Sequence, residues 1–336
     1  MAQKNKKYGA CLPVFGSCAD RYCLSGYGNG ATTLEGMFEA ASTVKEISGV
    51  ELIGNWHVND KNLKQIKKML TDKGLETSMV TPDLWTQAKW GKGSFTSRDK
   101  KIRKDAILEV KKSMDWASEL GCRYVNVWPG QDGYDYCFQA DYAQLREEIS
   151  DCIRECAAYR DDIKVLIEYK AKEPRTHLFI ARATDLKILL QEIGSDNAGA
   201  LLDFGHSLSA GENPAEAVAL LNSGKKKWLD YVHLNDNFRL WDDDMMFGSV
   251  HLIESLEFLY WLEKTGYDGW YTLDIFPYRE DGVKAARESI AWIEVLLGIL
   301  DQVGHKKIEE VIGKGDAAES SRMLREVLAK NLKAMR

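Results

Sequence analysis

Four short apolar segments of the sequence each carry one residue that can bind a divalent metal ion. These residues are Glu168 in VLIEYK, Asp203 in LLDFGH, His233 in YVHLND and Asp274 in YTLDIF. Each carboxylate taken alone can equally be capped or ion-paired. Four oxygen and nitrogen donors that converge from adjacent strands, however, leave negative charge uncompensated without a cation, and such mixed ligands suit Mn, Co or Mg. The pattern therefore predicts a divalent metal site.

A second group of possible ligands lies near the first. His206 follows Asp203 by three residues, and Asp242, Asp243 and Asp244 are adjacent in the sequence. If Asp203 bridges two ions, the histidine together with Asp242 and Asp244 can hold a second metal, which would activate a bound water for acid–base work. A solvated acidic loop is the alternative that the spacing leaves open.

Lys170 lies two residues after Glu168 and points to the same side of an extended strand end. Its ammonium group can balance nearby carboxylates or polarise a carbonyl oxygen of a substrate. A simple ion pair fits the same spacing.

The segments that position these residues alternate between short β-rich runs and longer amphipathic stretches. Strands are predicted at 8–14, 49–54, 75–80, 123–128, 163–169, 199–204, 230–235 and 270–275. Such alternation is typical of parallel strands joined by crossover helices, and eight units predict closure into a (β/α)8 TIM barrel. Because active sites in this fold lie at the carboxyl ends of the strands, the residues named above are expected to meet there.

The barrel is predicted to occupy residues 1–299, since such barrels need roughly 250 residues. Residues 300–336 are charged and helical in pattern and are predicted to form a helical C-terminal extension. This extension either clasps a neighbouring subunit in a homodimer or homotetramer or is a solvated terminal helix.

Composition excludes several classes of partner. A net charge of -6 without a long basic stretch argues against binding nucleic acid. No run of 18 apolar residues predicts a membrane helix, and the first residues lack the apolar stretch of a secretory signal. Seven cysteines without a CxxC pair do not predict a disulfide framework, so we expect a cytoplasmic protein. No glycine-rich phosphate cradle or arginine cluster follows the last two strands, which predicts a small ligand without a phosphate.

Around the candidate ligands the sequence resembles the xylose isomerases, and more broadly the xylose-isomerase-like barrels that include rhamnose isomerases and ketose 3-epimerases. The likeness covers roughly positions 75–285. IEYKAKEPR at 167–175 is similar to the family's segment Glu-Pro-Lys-Pro-x-Glu-Pro-Arg. HLNDNFRLWDDDMMFG at 233–248 is similar to its Asp-Leu-Asn loop that ends in Asp-x-Asp-x-x-Phe-Gly, and LDIFPYRED resembles the segment with its last metal-binding Asp.

The resemblance implies a metal-dependent aldose–ketose isomerase of a free, non-phosphorylated monosaccharide, with two divalent ions (Mn, Mg or Co) per active site. In that family one ion grips two substrate hydroxyls, and the water on the other moves a proton between the oxygens on carbons 1 and 2. The hydrogen on carbon 2 moves as a hydride in a dry, metal-polarised site. The implied ligands are Glu168, Asp203, His233 and Asp274 for the first ion and Asp203, His206, Asp242 and Asp244 for the second, catalytic ion.

Further roles are implied for side chains around the metals. Lys170 would steady the carbonyl oxygen on carbon 1, Trp128 would form an apolar wall, and His57 is the nearest candidate for the family's ring-opening histidine. Trp85 and Phe95 lie in the loop after the third strand and are predicted to shape the sugar pocket. Core or subunit-interface packing is the alternative for these two aromatic residues.

Two departures from the family pattern bear on specificity. His233 stands where xylose isomerases have Asp, which lowers the negative charge of the site and is similar to the pattern in rhamnose isomerases and 3-epimerases. The family's first-strand Trp is absent from YGACLPVFG, so the preferred sugar is expected to differ from xylose.

The main alternative is a ketose 3-epimerase, which needs two glutamates that flank the substrate as opposed acid and base. Here the last ligand is Asp274, whose arm is shorter than that of a glutamate. A metal-dependent endonuclease on the related fold is disfavoured because the chain is acidic and has only six histidines. A barrel that only binds sugar would be expected to lack one of the ligands.

Overall fold

Eight parallel strands close into a barrel in the computed structural model, which describes residues 6–28 and 30–334. In chain order the strands are β1 (Lys7–Cys11), β2 (Ile47–Ile53), β3 (Glu76–Thr81), β4 (Tyr124–Val127), β5 (Lys164–Glu168), β6 (Ala198–Asp203), β7 (Leu229–Leu234) and β8 (Trp270–Leu273). Closure comes from β1, which pairs in parallel with both β2 and β8. The predicted TIM barrel is confirmed.

Helices surround the barrel. They are α1 (Leu34–Thr43), α2 (Leu63–Lys73), α3 (Lys100–Glu119), α4 (Tyr142–Ala157), α5 (Ala183–Ile193), α6 (Phe204–Ser209), α7 (Pro214–Leu221), α8 (Leu252–Thr265), α9 (Gly282–Val303), α10 (His305–Lys314) and α11 (Ala317–Ala334). Three short segments, Gly133–Tyr134, Lys172–Glu173 and Thr176–Leu178, form a small antiparallel sheet between the loops after β4 and β5. No described helix is long and apolar enough to cross a membrane.

The first strand is shorter than the predicted segment 8–14. After Cys11 the chain turns into a 3-10 helix at Leu12–Phe15. Pro13 lies in this turn, and proline has no backbone N–H with which to continue a strand ladder.

The barrel interior changes from apolar to polar along the strands. Its lower part is filled by a separate buried cluster of Met79, Leu166, Leu201, Tyr231 and Trp270. Because residues two apart on a strand face the same side, the next interior positions belong to a polar layer. That layer comprises Thr81, Glu168, Asp203, His233 and Thr272.

Glycine makes room for the largest residue of this interior cluster. A Cβ atom on Gly49 would lie 2.6 Å from the ring of Trp270. Gly49 therefore lets the indole close the bottom of the barrel, and the next interior position of the same strand is Glu51.

The C-terminal segment folds back onto its own barrel. Helix α9 runs through residue 299 to Val303, so the predicted domain boundary lies inside this helix. Ile308 and Val311 of α10 are buried, and α11 packs partly buried apolar side chains such as Leu324 and Leu328 against the core. That this segment contacts a second subunit stays a prediction.

The buried carboxylate of Asp132 links the loops after β3 and β4 through hydrogen bonds. Asp132 is fully buried, and its side chain accepts hydrogen bonds from the backbone amides of Ser94 and Thr96 at 2.9 and 2.7 Å. The hydroxyl groups of the same two residues donate to it as well. The two loops that carry Trp85 and Trp128 are thus held in a fixed relation.

We expect Asp132→Ala to lower the free energy of unfolding by about 2–4 kcal/mol, because four buried donors lose their acceptor. Urea denaturation followed by circular dichroism measures this change. The control Asp161→Ala alters an exposed aspartate and should stay within about 0.5 kcal/mol of the unchanged protein. An equally small change for Asp132→Ala would show that this carboxylate does not hold the loops.

Candidate functional site

The first predicted ligand set comes together at the carboxyl ends of β5 to β8. Glu168, Asp203, His233 and Asp274 each offer a donor atom, and these atoms lie within 4.8 Å of one another. Nδ1 of His233 is 3.4 Å from Oε1 of Glu168 and 3.2 Å from Oδ2 of Asp274. The first three residues are buried and Asp274 is partly exposed, so the group opens toward the barrel mouth.

The second predicted set comes together only in part. Asp203, His206 and Asp242 form a group with donor atoms within 4.8 Å, and Nε2 of His206 is 3.1 Å from Oδ2 of Asp242. Asp244 lies beside this group, not in it. Its Oδ1 is 3.5 Å from the amide nitrogen of Asn235, and its backbone is left-handed with a φ of 49°.

Several polar atoms of these two groups lack a hydrogen-bond partner and are of the kinds that bind a divalent cation. Nδ1 of His206, Nδ1 of His233 and Oδ1 of Asp242 are buried and have no hydrogen-bond partner among the described residues. Burial and the nearby carboxylate of Asp242 raise the pKa of Asp203 to about 7. Burial and Asp242 also raise the pKa of Asp244 well above its ordinary value. Carboxylate oxygens and imidazole nitrogens that crowd in this way are a suitable ligand set for Mn, Co or Mg.

Glu51 on β2 is absent from the set predicted from the sequence, yet it holds His233. Its Oε2 lies 2.8 Å from Nε2 of His233, and its Oε1 accepts a hydrogen bond of 2.5 Å from the hydroxyl of Thr81. With Nε2–H donating to Glu51, the lone pair of Nδ1 faces the carboxylates, which is the tautomer that a metal ligand needs. A charged residue inside the apolar run GVELIG is the sequence signal for this role.

Two amides support the carboxylate ligands in the same way. Nδ2 of Asn126 donates to Oε2 of Glu168 at 2.6 Å, and Nδ2 of Asn235 donates to Oδ2 of Asp203 at 2.9 Å. Oε1 of Glu168 remains directed at the two histidines, 3.2 Å from Nδ1 of His206 and 3.4 Å from Nδ1 of His233. Oδ1 of Asp203 accepts a hydrogen bond of 2.7 Å from the backbone N–H of His206. The ligands are therefore oriented before any ion binds.

Lys170 is buried next to the second group. Its Nζ lies 2.8 Å from Oδ2 of Asp242, forms a further ion pair with Glu173, and is 5.1 Å from the centre of the Trp128 ring. Burial lowers the pKa of Lys170, but the carboxylates of Asp242 and Glu173 outweigh burial and raise it above its ordinary value. The side chain is thus a fixed cation at the wall of the site.

A cavity of about 430 Å³ lies above both groups. Lys170, Asp244 and four tryptophans line it. The ring centres of Trp85 and Trp128 are 5.0 Å apart, and those of Trp56 and Trp85 are 5.9 Å apart. The indoles form an apolar wall that limits access of water. Trp56 and Trp241 are absent from the set predicted from the sequence.

Of the predicted site residues outside the two metal-ligand groups, two do not line this cavity. Phe95 is fully buried in the main core, which agrees with the packing alternative. His57 points into the turn after β2, where its Nδ1 accepts a hydrogen bond of 2.9 Å from the backbone N–H of Ile53, while its neighbour Trp56 faces the cavity. Burial lowers the pKa of His57 to about 4, so this ring is neutral at pH 7.

The model of the xylose isomerase-like TIM barrel family matches residues 38–296. The chain belongs to this family. It is 30% identical over 236 residues to the xylose isomerase of Thermus thermophilus, a match that covers 67% of this chain and 60% of that enzyme. The chain therefore spans about 60% of the length of such a relative.

Solved structures show the same fold at low identity. A D-tagatose 3-epimerase-like protein is 20% identical with a TM-score of 0.69, over 88% of this chain and 99% of that one. The 3-keto-D-glucoside 4-epimerase of E. coli is 19% identical with a TM-score of 0.64, over 79% of this chain and 95% of that one.

The hydrogen bond from Glu51 to His233 leads to a prediction about metal affinity. We expect Glu51→Gln to weaken binding of Mn about 10- to 100-fold, because the amide no longer fixes the imidazole tautomer. Isothermal titration of metal-stripped protein measures the affinity. The control Glu288→Gln makes the same charge change at an exposed helix position and should bind Mn as the unchanged protein does. Equal affinities for the two variants would exclude this role for Glu51.

The burial of His57 predicts a dependence of stability on pH. A histidine in the unfolded chain has a pKa near 6.5, so between about pH 6.5 and pH 4 the unfolded state binds a proton that the folded state does not. Stability should therefore fall as the pH is lowered through this range, by up to about 3 kcal/mol from this residue.

Urea denaturation at pH 7 and pH 4.5 tests this dependence. The loss of stability on acidification should be smaller in His57→Gln than in the unchanged protein. His177→Gln, which changes an exposed histidine, should keep the full loss. If His57→Gln loses as much stability as the unchanged protein, His57 is not neutral and buried in the folded state.

Proposed function

We propose that this protein is a divalent-metal-dependent aldose–ketose isomerase that acts on a free, non-phosphorylated sugar. The observation that carries the proposal is the buried ammonium group of Lys170, which borders one cavity with two adjoining sets of metal-ligand side chains. An aldose–ketose interconversion changes the charge on the oxygens of carbons 1 and 2. A fixed cation and a divalent centre side by side can stabilise both oxygens.

The first ion would be held by Glu168, Asp203, His233 and Asp274, and a second by Asp203, His206 and Asp242 with Asp244 beside them. Bound divalent ions would supply Lewis acidity toward the oxygens on carbons 1 and 2. Lys170 donates a hydrogen bond to the carbonyl oxygen on carbon 1 of the open-chain aldose. The indoles of Trp85 and Trp128 cover the sugar and exclude water, which favours transfer of hydride over exchange of a proton with solvent.

The reaction then needs two transfers. The hydrogen on carbon 2 moves with its electron pair to carbon 1, and the proton of the hydroxyl on carbon 2 moves to the oxygen on carbon 1. Asp244 lines the cavity beside Lys170 and is assigned to this proton transfer. Carbon 1 becomes a hydroxymethyl group and carbon 2 a carbonyl, so no external oxidant or base is consumed.

A ketose 3-epimerase is the second candidate. It is favoured by one observation, because Glu51 is a second buried glutamate that lines the same cavity as Glu168. Both oxygens of Glu51, however, are engaged by His233 and Thr81. A carboxylate held in this way is poorly placed to take a proton from carbon 3, and isomerisation is therefore preferred.

Sugars deuterated at carbon 2 distinguish the two reactions. Metal-stripped protein is incubated, with and without Mn, with a panel of free pentoses, hexoses, deoxyhexoses and reducing disaccharides, and the products are followed by NMR. We expect conversion only with Mn, with deuterium retained on carbon 1 because hydride does not exchange with water. Inversion at carbon 3 with solvent exchange there would favour the epimerase, and no conversion of any sugar would overturn the proposed function.

A further inference from the structure

A second and larger cavity opens directly outside the candidate site. Its volume is about 900 Å³, against about 430 Å³ for the inner cavity. The two share seven lining residues, which are Glu173, Pro174, Trp241, Asp242, Asp244, Phe276 and Tyr278. They therefore form one continuous space, with the metal-ligand groups at its inner end and the outer cavity at the barrel mouth.

One wall of the outer cavity is built by contacts between the loops after β1 and β8. The rings of Tyr27 and Tyr278 meet edge to face at 6.0 Å, and the guanidinium of Arg279 lies 4.5 Å from the centre of the Tyr27 ring. The hydroxyl of Tyr27 donates a hydrogen bond of 2.9 Å to Asp20. Asp20 also accepts hydrogen bonds from the amides of Tyr22 and Cys23, so this wall is formed in advance of any ligand.

Exposed aromatic side chains line this cavity. Tyr22 is 79% exposed, Phe238 is 62% exposed and Trp241, which borders both cavities, is 40% exposed. Phe276 and Tyr278 stack on each other at 6.4 Å along the passage between the cavities. The C–H faces of a pyranose ring are apolar and pack on such aromatic faces, and the rim of the ring remains free for hydrogen bonds.

The charged groups around the outer cavity are of both signs. Arg21, Arg175 and Arg279 supply fork-shaped donors, and six carboxylates supply acceptors, namely those of Asp20, Glu173, Asp242, Asp243, Asp244 and Glu280. A cavity built for a phosphate or carboxylate would be expected to carry a surplus of cations, and this one does not. Mixed donors and acceptors instead match the vicinal hydroxyls of a neutral sugar.

We propose that the outer cavity is a subsite for a second, uncharged sugar unit, so that the substrate is a reducing disaccharide or a longer oligosaccharide. This inference rests on the proposed function, because the reducing sugar must present carbons 1 and 2 to the inner cavity. The second unit, attached away from those carbons, then lies among Tyr22, Phe238 and Trp241. The sequence predicts a free monosaccharide as the substrate, and this proposal adds at least one further sugar unit to it.

Binding to Mn-loaded protein tests the subsite without relying on turnover. Isothermal titration compares three pairs of sugars: xylose with xylobiose, glucose with cellobiose, and mannose with mannobiose. At least one disaccharide should bind about tenfold or more tightly than its own reducing sugar. The double variant Tyr22→Ser and Phe238→Ser, which changes residues that line only the outer cavity, should remove most of that difference and leave binding of the monosaccharide unchanged.

Phe138→Ser provides the matched control, since Phe138 is a fully exposed aromatic residue that lines neither cavity. It should keep the preference for the disaccharide. The subsite is overturned if no disaccharide binds more tightly than its monosaccharide, or if the double variant weakens both equally. It is also overturned if light scattering shows that the double variant changes the oligomeric state, because the aromatic rim would then be a subunit contact. If a disaccharide binds more tightly than its monosaccharide but no sugar is converted, the proposed isomerisation is wrong and the subsite is supported.

Discussion

Carboxylates that repel one another are crowded at one end of the barrel, and the arrangement of the surrounding polar residues depends on this repulsion. Glu168 and Asp203 are buried, Asp242 and Asp244 are partly buried, and all four lie close together. A buried charge without a partner costs several kcal/mol. Burial raises the pKa of Glu168, yet His233 and His206 outweigh burial and hold it below its ordinary value. Where no such partner suffices, as at Asp203, the pKa is raised to about 7.

Further polar contacts orient the side chains that carry this charge. Asn126, Asn235 and Glu51 each form a hydrogen bond with one polar atom of a potential ligand and so fix the direction of its side chain. In addition, Lys170 is fixed by Asp242 and Glu173 at the edge of the group. The result is a set of oriented donor groups in which Nδ1 of His206, Nδ1 of His233 and Oδ1 of Asp242 have no hydrogen-bond partner among the described residues, as a preformed metal site requires.

The apolar lower half of the barrel makes this arrangement tolerable. Leu166, Leu201 and Tyr231 each stand two residues before a potential ligand on the same strand, and with Met79 and Trp270 they fill the interior. The polar layer therefore rests on a packed floor that water does not enter, while the loops above it carry the tryptophan wall. On each of these strands, the residue that packs in the apolar interior and the polar residue two positions later therefore face the same side of the strand. The first stabilises the barrel, and the second belongs to the candidate site.

Much of this arrangement is encoded locally and could be predicted from the sequence. Alternating apolar runs and amphipathic stretches predict the barrel, and Glu168, Asp203, His233 and Asp274 stand out because each ends such a run. The directions of side chains in loops are not local properties. His57 and Trp56 are neighbours in the chain, yet the turn after β2 sends the imidazole to a backbone amide and the indole to the cavity.

Phe95 and Glu51 also show that the contacts of a side chain cannot be read from the sequence alone. Phe95 lies in the loop that follows the carboxyl end of β3, but its ring packs in the core, where burial of apolar surface stabilises it. Glu51 lies within an apolar strand and acquires a role only because closure of the barrel brings β2 opposite β7 and His233. The sequence by itself determined the succession of strands and helices and the potential metal-ligating side chains near strand ends, since these follow from periodicity and residue type. Only the tertiary structure decided which side chains meet across the barrel, because those distances depend on the closure of all eight strands at once.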